Sequence, residues 1–430
     1  MPPWESARLL SAPADGSAPG ARVVLETRTG PLRARWVAKV HALDEPGTLG
    51  FRDVQVEGPF AHWEHFHRFR DVAGGAELFD RVEYRLPLEP LSRWVAGRWS
   101  RRKVERMFAW RHRVTRFDVE TIRSVPVRPT CVAISGAGGA IGGALTLFLR
   151  NAGVRVVRVV RREARSADEA SWDPRSGSVD EAALAECDAL VHLAGEPIAS
   201  RRWTSETKRR IEESRVRGTS QLARALANLA ARDAGPRRLL VASGISRFGD
   251  HGDEAFDERS APTDATFLGR VAALVESAAE PARLAGIPTA FLCLGPVLTP
   301  EAGMLARILP FARAGLGGPL GRGDQWLSWI SLEDAVRAID FLLANEAEGA
   351  VNLVSPQPVR SAEFARTLGR VLSRPAVLPA PARLLRATFG ELADEVVLAS
   401  RRAVPARLFE QGFRFVLPEL EAALRHVLGR

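Results

Sequence analysis

The chain has 430 residues, more than one ordinary domain holds, so two or three domains are expected. Hydrophobic residues make up 46% and charged residues 26%, a globular composition that excludes disordered and fibrous classes and can bury a sizeable core. The net charge of +9 is almost wholly arginine, with Lys39, Lys103 and Lys208 the only lysines, and no arginine run interleaves with aromatics, so a nucleic-acid partner is not expected.

From about residue 21 to 86, apolar and polar side chains alternate in short runs, among them "RVVLETR", "LRARWVAKVHAL" and "HWEHFHRF". Turn residues separate them at Thr29-Gly30-Pro31, Glu45-Pro46-Gly47, Gly58-Pro59 and Gly74-Gly75, the pattern of an antiparallel meander. A helix is expected from Leu91 to Thr115, with the cluster Arg98–Arg106 on its solvated face, and "IRSVPVRPT" reads as a linker. After Thr130, apolar strands at Val132–Ser135, Val154–Val160, Ala189–Leu193, Arg238–Ser243 and Thr289–Leu294 alternate with helical stretches such as Thr207–Arg232 and Phe267–Ala285. That alternation predicts an α/β fold, a doubly wound parallel sheet of Rossmann type covered on both faces. The divisions expected are an antiparallel α+β domain at 1–122, a linker at 123–129, a nucleotide-binding domain at 130–350 and a small helical C-terminal domain at 351–430.

Cys131, Cys187 and Cys293 are widely spaced in apolar surroundings and offer neither a disulfide framework nor a zinc knuckle. The opening "MPPWESARLL" lacks the basic and apolar regions of a signal peptide, so a cytoplasmic location is expected.

The stretch "CVAISGAGGAIGGALTLFLR", Cys131–Arg150, is uncharged until its last residue and long enough to cross a membrane. Its composition argues otherwise: "CVAIS" is a short buried strand, and "GAGG" would weaken a helix. With glycines at Gly136, Gly139 and Gly142, and Ala140 and Ile141 opening the helix, strand-to-helix backbone amides are bared toward a pyrophosphate. No membrane span is expected here. The second strand, "VRVVRVVRREAR", carries Arg161 and Arg162 at its tip instead of an acid, which suits the 2′-phosphate of NADP(H) over the free ribose of NAD(H). Leu193, Ala194 and Gly195 in "LVHLAGEPI" would let the backbone lie beside that cofactor.

"SGAGGAIG", "HLAGEPI", "RRWTSETKRRIEESRVRGT", "GLGGPLGRGDQWLSWI" and "NLVSPQPVRSAEF" follow one another from about Thr130 to the end. Together they resemble the epimerase-family branch of the extended short-chain dehydrogenase/reductases, whose members carry a small C-terminal domain of unknown function. The preceding part, with "FRDVQVEGPFAHWEHFHRF" and "MFAWRHRV", resembles START-like (SRPBCC) helix-grip domains. In those relatives "PPW" follows a first strand and two short helices, so this grip is expected to lack them and to hold a hydrophobic ligand.

The resemblance implies hydride chemistry on a small-molecule carbonyl or hydroxyl group, but the usual Tyr and Lys pair is missing. The single tyrosine, Tyr84, lies in the first domain, and Lys208 stands on an earlier helix. Phe267 and Arg270 occupy the region of the pair, and Arg270 can hold a ribose hydroxyl without relaying protons. The expected catalytic set is therefore Ser243 to orient a substrate oxygen, Arg215 or Arg247 to meet developing alkoxide charge, and His251 as proton donor. Phe248, Arg322, Gln325 and Trp326 are expected on the substrate side. A cofactor-binding protein without turnover, or an enzyme of the sugar-nucleotide epimerase and dehydratase kind, are the alternatives. The second also relies on the missing tyrosine.

Two smaller patterns complete the sequence. His65 and His67 share one strand face at a spacing that can chelate a metal, but with no third ligand in view they are expected to pack in the grip or line its cavity, and no metal is expected. Trp172 and Asp173 could border an adenine or form a turn.

Overall fold

The computed structural model describes residues 2–13, 18–29, 32–43, 49–125, 127–199 and 201–430. The turns expected at Gly30-Pro31 and Glu45–Gly47 lie outside the described residues. Two compact units divide the chain, one ending at Val114 and one beginning at Thr115.

The first unit is a six-stranded antiparallel meander in sequence order: β1 (Ser6–Ser11), β2 (Arg22–Thr29), β3 (Leu32–Ala42), β4 (Leu49–Glu57), β5 (His62–Val72) and β6 (Gly75–Arg85). Helix α1 (Leu91–Ser124) follows. Period-two alternation decides which side chains turn inward, so Trp63, His65 and His67 of β5 are buried while their neighbours are not. Helix α1 runs nine residues past the expected end at Thr115. The sequence offers no glycine or proline between Gly97 and Pro126 to stop it. Arg128 then closes its end, donating to the carbonyls of Thr121, Ile122 and Val125 while its guanidinium pairs with Asp340 at 2.9 Å.

The second unit is built on seven parallel strands: β7 (Cys131–Ser135), β8 (Arg155–Val160), β9 (Glu169–Ser171), β10 (Ala189–His192), β11 (Leu239–Gly244), β12 (Thr289–Leu294) and β13 (Gly349–Leu353). Their spatial order is β9-β8-β7-β10-β11-β12-β13. The order reverses between β7 and β10, which makes the C-terminal edge of that pair the crevice where such sheets bind ligands.

Helices cover both faces. Ala133, Leu190 and Val241 pack toward α3 (Ser205–Ala230) and α4 (Phe267–Ala278) through Leu222, Leu226 and Val271. Val132, Ile134, Val191 and Leu240 pack the other way, toward α2 (Ala140–Asn151) and α5 (Leu332–Ala344) through Leu145, Leu149, Ile339 and Leu342. Strands buried on both faces read as continuous apolar runs, which is why they were visible in sequence. Beyond β13 the segment is mostly helical, including Ser361–Leu372, Ala382–Phe389 and Leu420–Leu428. No described helix is long and apolar enough to cross a membrane.

Candidate functional site

All five residues of β7 are buried, and the chain leaves it through Gly136 at φ +75°. A Cβ there would stand 2.8 Å from the backbone of Leu193 and Ala194, so only glycine lets the turn lie against the end of β10. A Cβ on Gly142 would stand 2.3 Å from the Gly136 carbonyl oxygen, so glycine also brings the first turn of α2 down onto that loop. At Gly138, by contrast, an added Cβ would meet nothing within 4 Å. The α2 N-cap, Gly139, supplies no side-chain bond, and the amides of Ala140, Ile141 and Gly142 begin the helix without an intrahelical acceptor. These residues fit a dinucleotide pyrophosphate: open space faces bare amides at the positive end of a helix.

The tip of β8 is electrostatically uneven. Glu169 of β9 is buried and held by Arg158 at 2.6 Å and by Arg162 at 2.7 and 2.8 Å. Those contacts, with Arg162 the strongest influence, keep its carboxyl low, at about 2. Arg162 is thus spent on a carboxylate of its own chain, whereas Arg161 beside it is exposed and has no carboxylate partner among the described residues. The two arginines read alike in sequence are therefore not equivalent.

Across the strand-order reversal, Ser135 Oγ lies 2.6 Å from His192 Nδ1 and accepts from the Ala194 amide at 3.4 Å. His192 is buried, its Nε2 has no partner among the described residues, and burial followed by the nearby Arg215 charge pushes its pKa down to about 4. Gly218 of α3 makes room for it, since a Cβ there would meet His192 Nε2 at 3.3 Å and the Trp172 ring at 3.2 Å. Arg215, one turn earlier, lies under Gly195, its guanidinium carbon 3.1 Å from where a Cβ would be. It donates to the carbonyls of Glu196 and Ile211 at 2.9 and 3.2 Å. Burial lowers its pKa to about 10 against the opposing pull of Glu196, so it remains charged at neutral pH. Ser243, near the end of β11, has a buried hydroxyl with no hydrogen-bond partner among the described residues. It shares a sheet face with Leu239 and Val241, the face packed by Phe267 and Val271 of α4. Ser135 and His192 were absent from the expected set. Their signal was a polar residue ending each of two apolar strand runs.

Several expected residues have other employment. Arg247 is ion-paired with Glu276 of α4, and its guanidinium lies 5.5 Å from the Phe248 ring. Phe248 is no pocket wall: it is 3% exposed and packs with Ile245, Phe256 and Cys293. His251 stacks on Phe256 at 4.4 Å, with Nε2 2.9 Å from the Phe248 carbonyl oxygen. Arg270 is exposed and donates to the Asp264 carbonyl at 3.1 Å. Phe267 is buried against Trp203, with the Lys208 ammonium 4.8 Å from its ring and paired to Glu391 at 2.8 Å. The backbone amides of Phe267 and Leu268 are bound by the Glu395 carboxylate at 2.7 and 3.0 Å.

On the loop after residue 315, Arg322 is exposed and paired with Asp324. Gln325 is buried, bracing the carbonyls of Leu320 and Val397. Trp326 donates to Asp253 at 3.2 Å, and the guanidinium groups of Arg360 and Arg402 lie over its ring. Trp172 is buried and donates to Gln221, and Asp173 closes the turn that follows. Cys131 and Cys187, far apart in sequence, meet with their sulfurs 3.4 Å apart.

A glycine turn set at a strand-order reversal defines a Rossmann-type, NAD(P)-binding protein. Residues 132–354 match the NAD dependent epimerase/dehydratase family, and residues 380–427 match DUF1731, a domain of unknown function. The chain belongs to the NAD dependent epimerase/dehydratase family. An epimerase family protein of Mycobacterium bovis is 42% identical over 301 residues, covering 70% of this chain and 98% of that protein. The crystal structure of a protein titled nucleoside-diphosphate sugar epimerase, from Corynebacterium glutamicum, aligns over 100% of this chain and 84% of its own, with TM-score 0.77 and 29% identity. Human epimerase family protein SDR39U1, solved with NADPH, aligns over 69% of this chain and 99% of its own, with TM-score 0.61 and 30% identity.

Proposed function

We propose that this chain is an NADP(H)-binding oxidoreductase of the atypical short-chain type, acting on the carbonyl or hydroxyl group of an apolar small molecule. The observation that carries this is the buried, unpartnered hydroxyl of Ser243 two strands along the sheet from the glycine cradle. A buried hydroxyl left without a partner costs stability, and a substrate oxygen is the partner that would complete it.

Gly136, Gly139, Ala140, Ile141 and Gly142 would hold the pyrophosphate, with Leu193, Ala194 and Gly195 alongside. Arg161 would hold the 2′-phosphate, and the NADPH of the human relative supports that preference. A nicotinamide cofactor held by these residues would supply or accept the hydride. Ser243 orients the substrate oxygen, and Arg215 supplies a fixed positive charge beneath Gly195. His251 and Arg247 are already engaged by Phe248 and Glu276, so we assign the proton to solvent. The START-like assignment of the first unit, with its hydrophobic ligand, rests on resemblance and on an aromatic group of Trp36, Phe60, Trp63 and Tyr84. The cell compartment we assign is the cytoplasm.

Phe267 favours a second reading, a cofactor-binding sensor without turnover, because a ring with no acidic proton stands where the acid is usual. Two measurements decide. Titration should show NADPH binding more tightly than NADH, with Arg161→Ala erasing the difference; equal affinities for wild type would remove the NADP assignment. On a panel of apolar aldehydes and ketones, wild type should turn over and Ser243→Ala should not. Binding without any turnover would leave the sensor.

A further inference from the structure

The histidine pair of β5 has partners that its own strand could not reveal. Strand register sets Asp53 of β4 opposite His65, and Asp80 of β6 opposite His67. Asp53 Oδ2 lies 3.1 Å from His65 Nδ1 and 3.0 Å from His67 Nε2. Asp80 Oδ1 takes the opposite nitrogen of each ring, 3.0 Å from His65 Nε2 and 3.1 Å from His67 Nδ1. The other Asp80 oxygen lies 2.7 Å from His112 Nε2. Phe51 stacks on His67 at 4.2 Å, and Phe108 meets His65 edge-on at 4.9 Å.

We propose that Asp53, His65 and His67 bind a divalent transition-metal ion of the zinc class, with Asp80 anchoring both imidazoles from behind. Strand interiors disfavour aspartate, and burying the Asp80 carboxylate and half-burying that of Asp53 is costly unless they are matched by opposite charge. An ion about 2 Å from each ligand atom needs neighbouring ligand atoms roughly 3–3.5 Å apart, which the Asp53 oxygen satisfies toward both rings. All three ligand atoms lie within 4.8 Å of one another.

A metal-bound imidazole needs its far nitrogen to donate to an acceptor, and Asp80 is that acceptor for both rings. Two imidazoles and one carboxylate leave coordination positions open to water, the arrangement suited to a first-row transition ion. Arg111 competes for the same groups. Its Nη2 is 3.2 Å from His67 Nδ1, its Nη1 is 3.8 Å from Asp80 and its guanidinium lies 5.8 Å from the Phe108 ring, but its side chain is 38% exposed, so an ion would displace it toward solvent. Loading the ion displaces protons shared between Asp53 and the rings, and these leave to the buffer.

The test uses the full chain, stripped with a chelator and returned to metal-free buffer. Calorimetry with Zn²⁺ in buffers of differing ionisation heat should give one ion per chain with release of protons. Co²⁺ should give visible absorption of low coordination number and two paramagnetically shifted ring N–H resonances. Asp53→Asn and His67→Gln should each weaken binding by about 100-fold or more, Asp80→Asn by about 10–100-fold, and Arg111→Ala should not weaken it. Uptake no greater than in His67→Gln would overturn the proposal. Should that variant fail to fold, as seen in near-ultraviolet dichroism, a Co²⁺ form of wild type without shifted histidine resonances overturns it equally.

Discussion

The hydroxyl of Ser135 lies 2.6 Å from Nδ1 of His192, joining the ends of two adjacent strands where the sheet reverses its order. Burial holds this imidazole neutral, with a folded pKa of about 4 against an ordinary value of 6.5. The unfolded chain therefore takes up a proton that the native state refuses, and stability present above pH 6.5 is lost as pH falls toward 4. The loss assignable to His192 is roughly 3 kcal/mol. Urea midpoints measured from pH 7 to pH 4 should fall less steeply in His192→Asn.

The glycine turn separates fold from ligand. Gly142→Ala would drive a methyl group against the Gly136 carbonyl and should cost about 1–3 kcal/mol, read from chemical denaturation. Gly138→Ala meets nothing and should leave stability nearly unchanged, yet fluorescence titration should show weaker NADPH binding.

Glu169 occupies Arg162 and holds a negative charge near the tip of β8. Glu169→Gln should free that arginine and raise the preference for NADPH over NADH by a few fold, measured as the ratio of dissociation constants. An unchanged ratio would place the 2′-phosphate elsewhere.

Asp340 is buried, and its bidentate pair with Arg128 is what fixes the end of α1. Asp340→Ala strands a buried guanidinium and should destabilise the second unit by about 3–5 kcal/mol, seen as a lowered melting temperature.

The parallel strands and the glycine turn were legible because burial on both faces writes apolar runs and a tight turn demands glycine. The antiparallel alternation was legible for the same local reason. What stayed hidden depends on register and packing between distant segments. Asp53 and Asp80 face the histidines only because β4 and β6 each pair with β5 in that register. Arg162 is claimed by Glu169 on the neighbouring strand, and Phe248 by Phe256 and Cys293, so neither stands free as its position in the sequence suggests. Helix α1 outlasts its expected end because no breaker stands before Pro126, and Arg128 from beyond that proline then clamps its last carbonyls.

Glu395 sits in the stretch matched to DUF1731, yet its carboxylate closes the opening turn of α4, well over a hundred residues earlier. The positive pole of that helix is thereby neutralised from within, so an anionic substrate group has little to gain there. Shortening the polypeptide before residue 380 would uncover the backbone donors of Phe267 and Leu268, making the terminal segment a built-in stopper for the dinucleotide-binding fold.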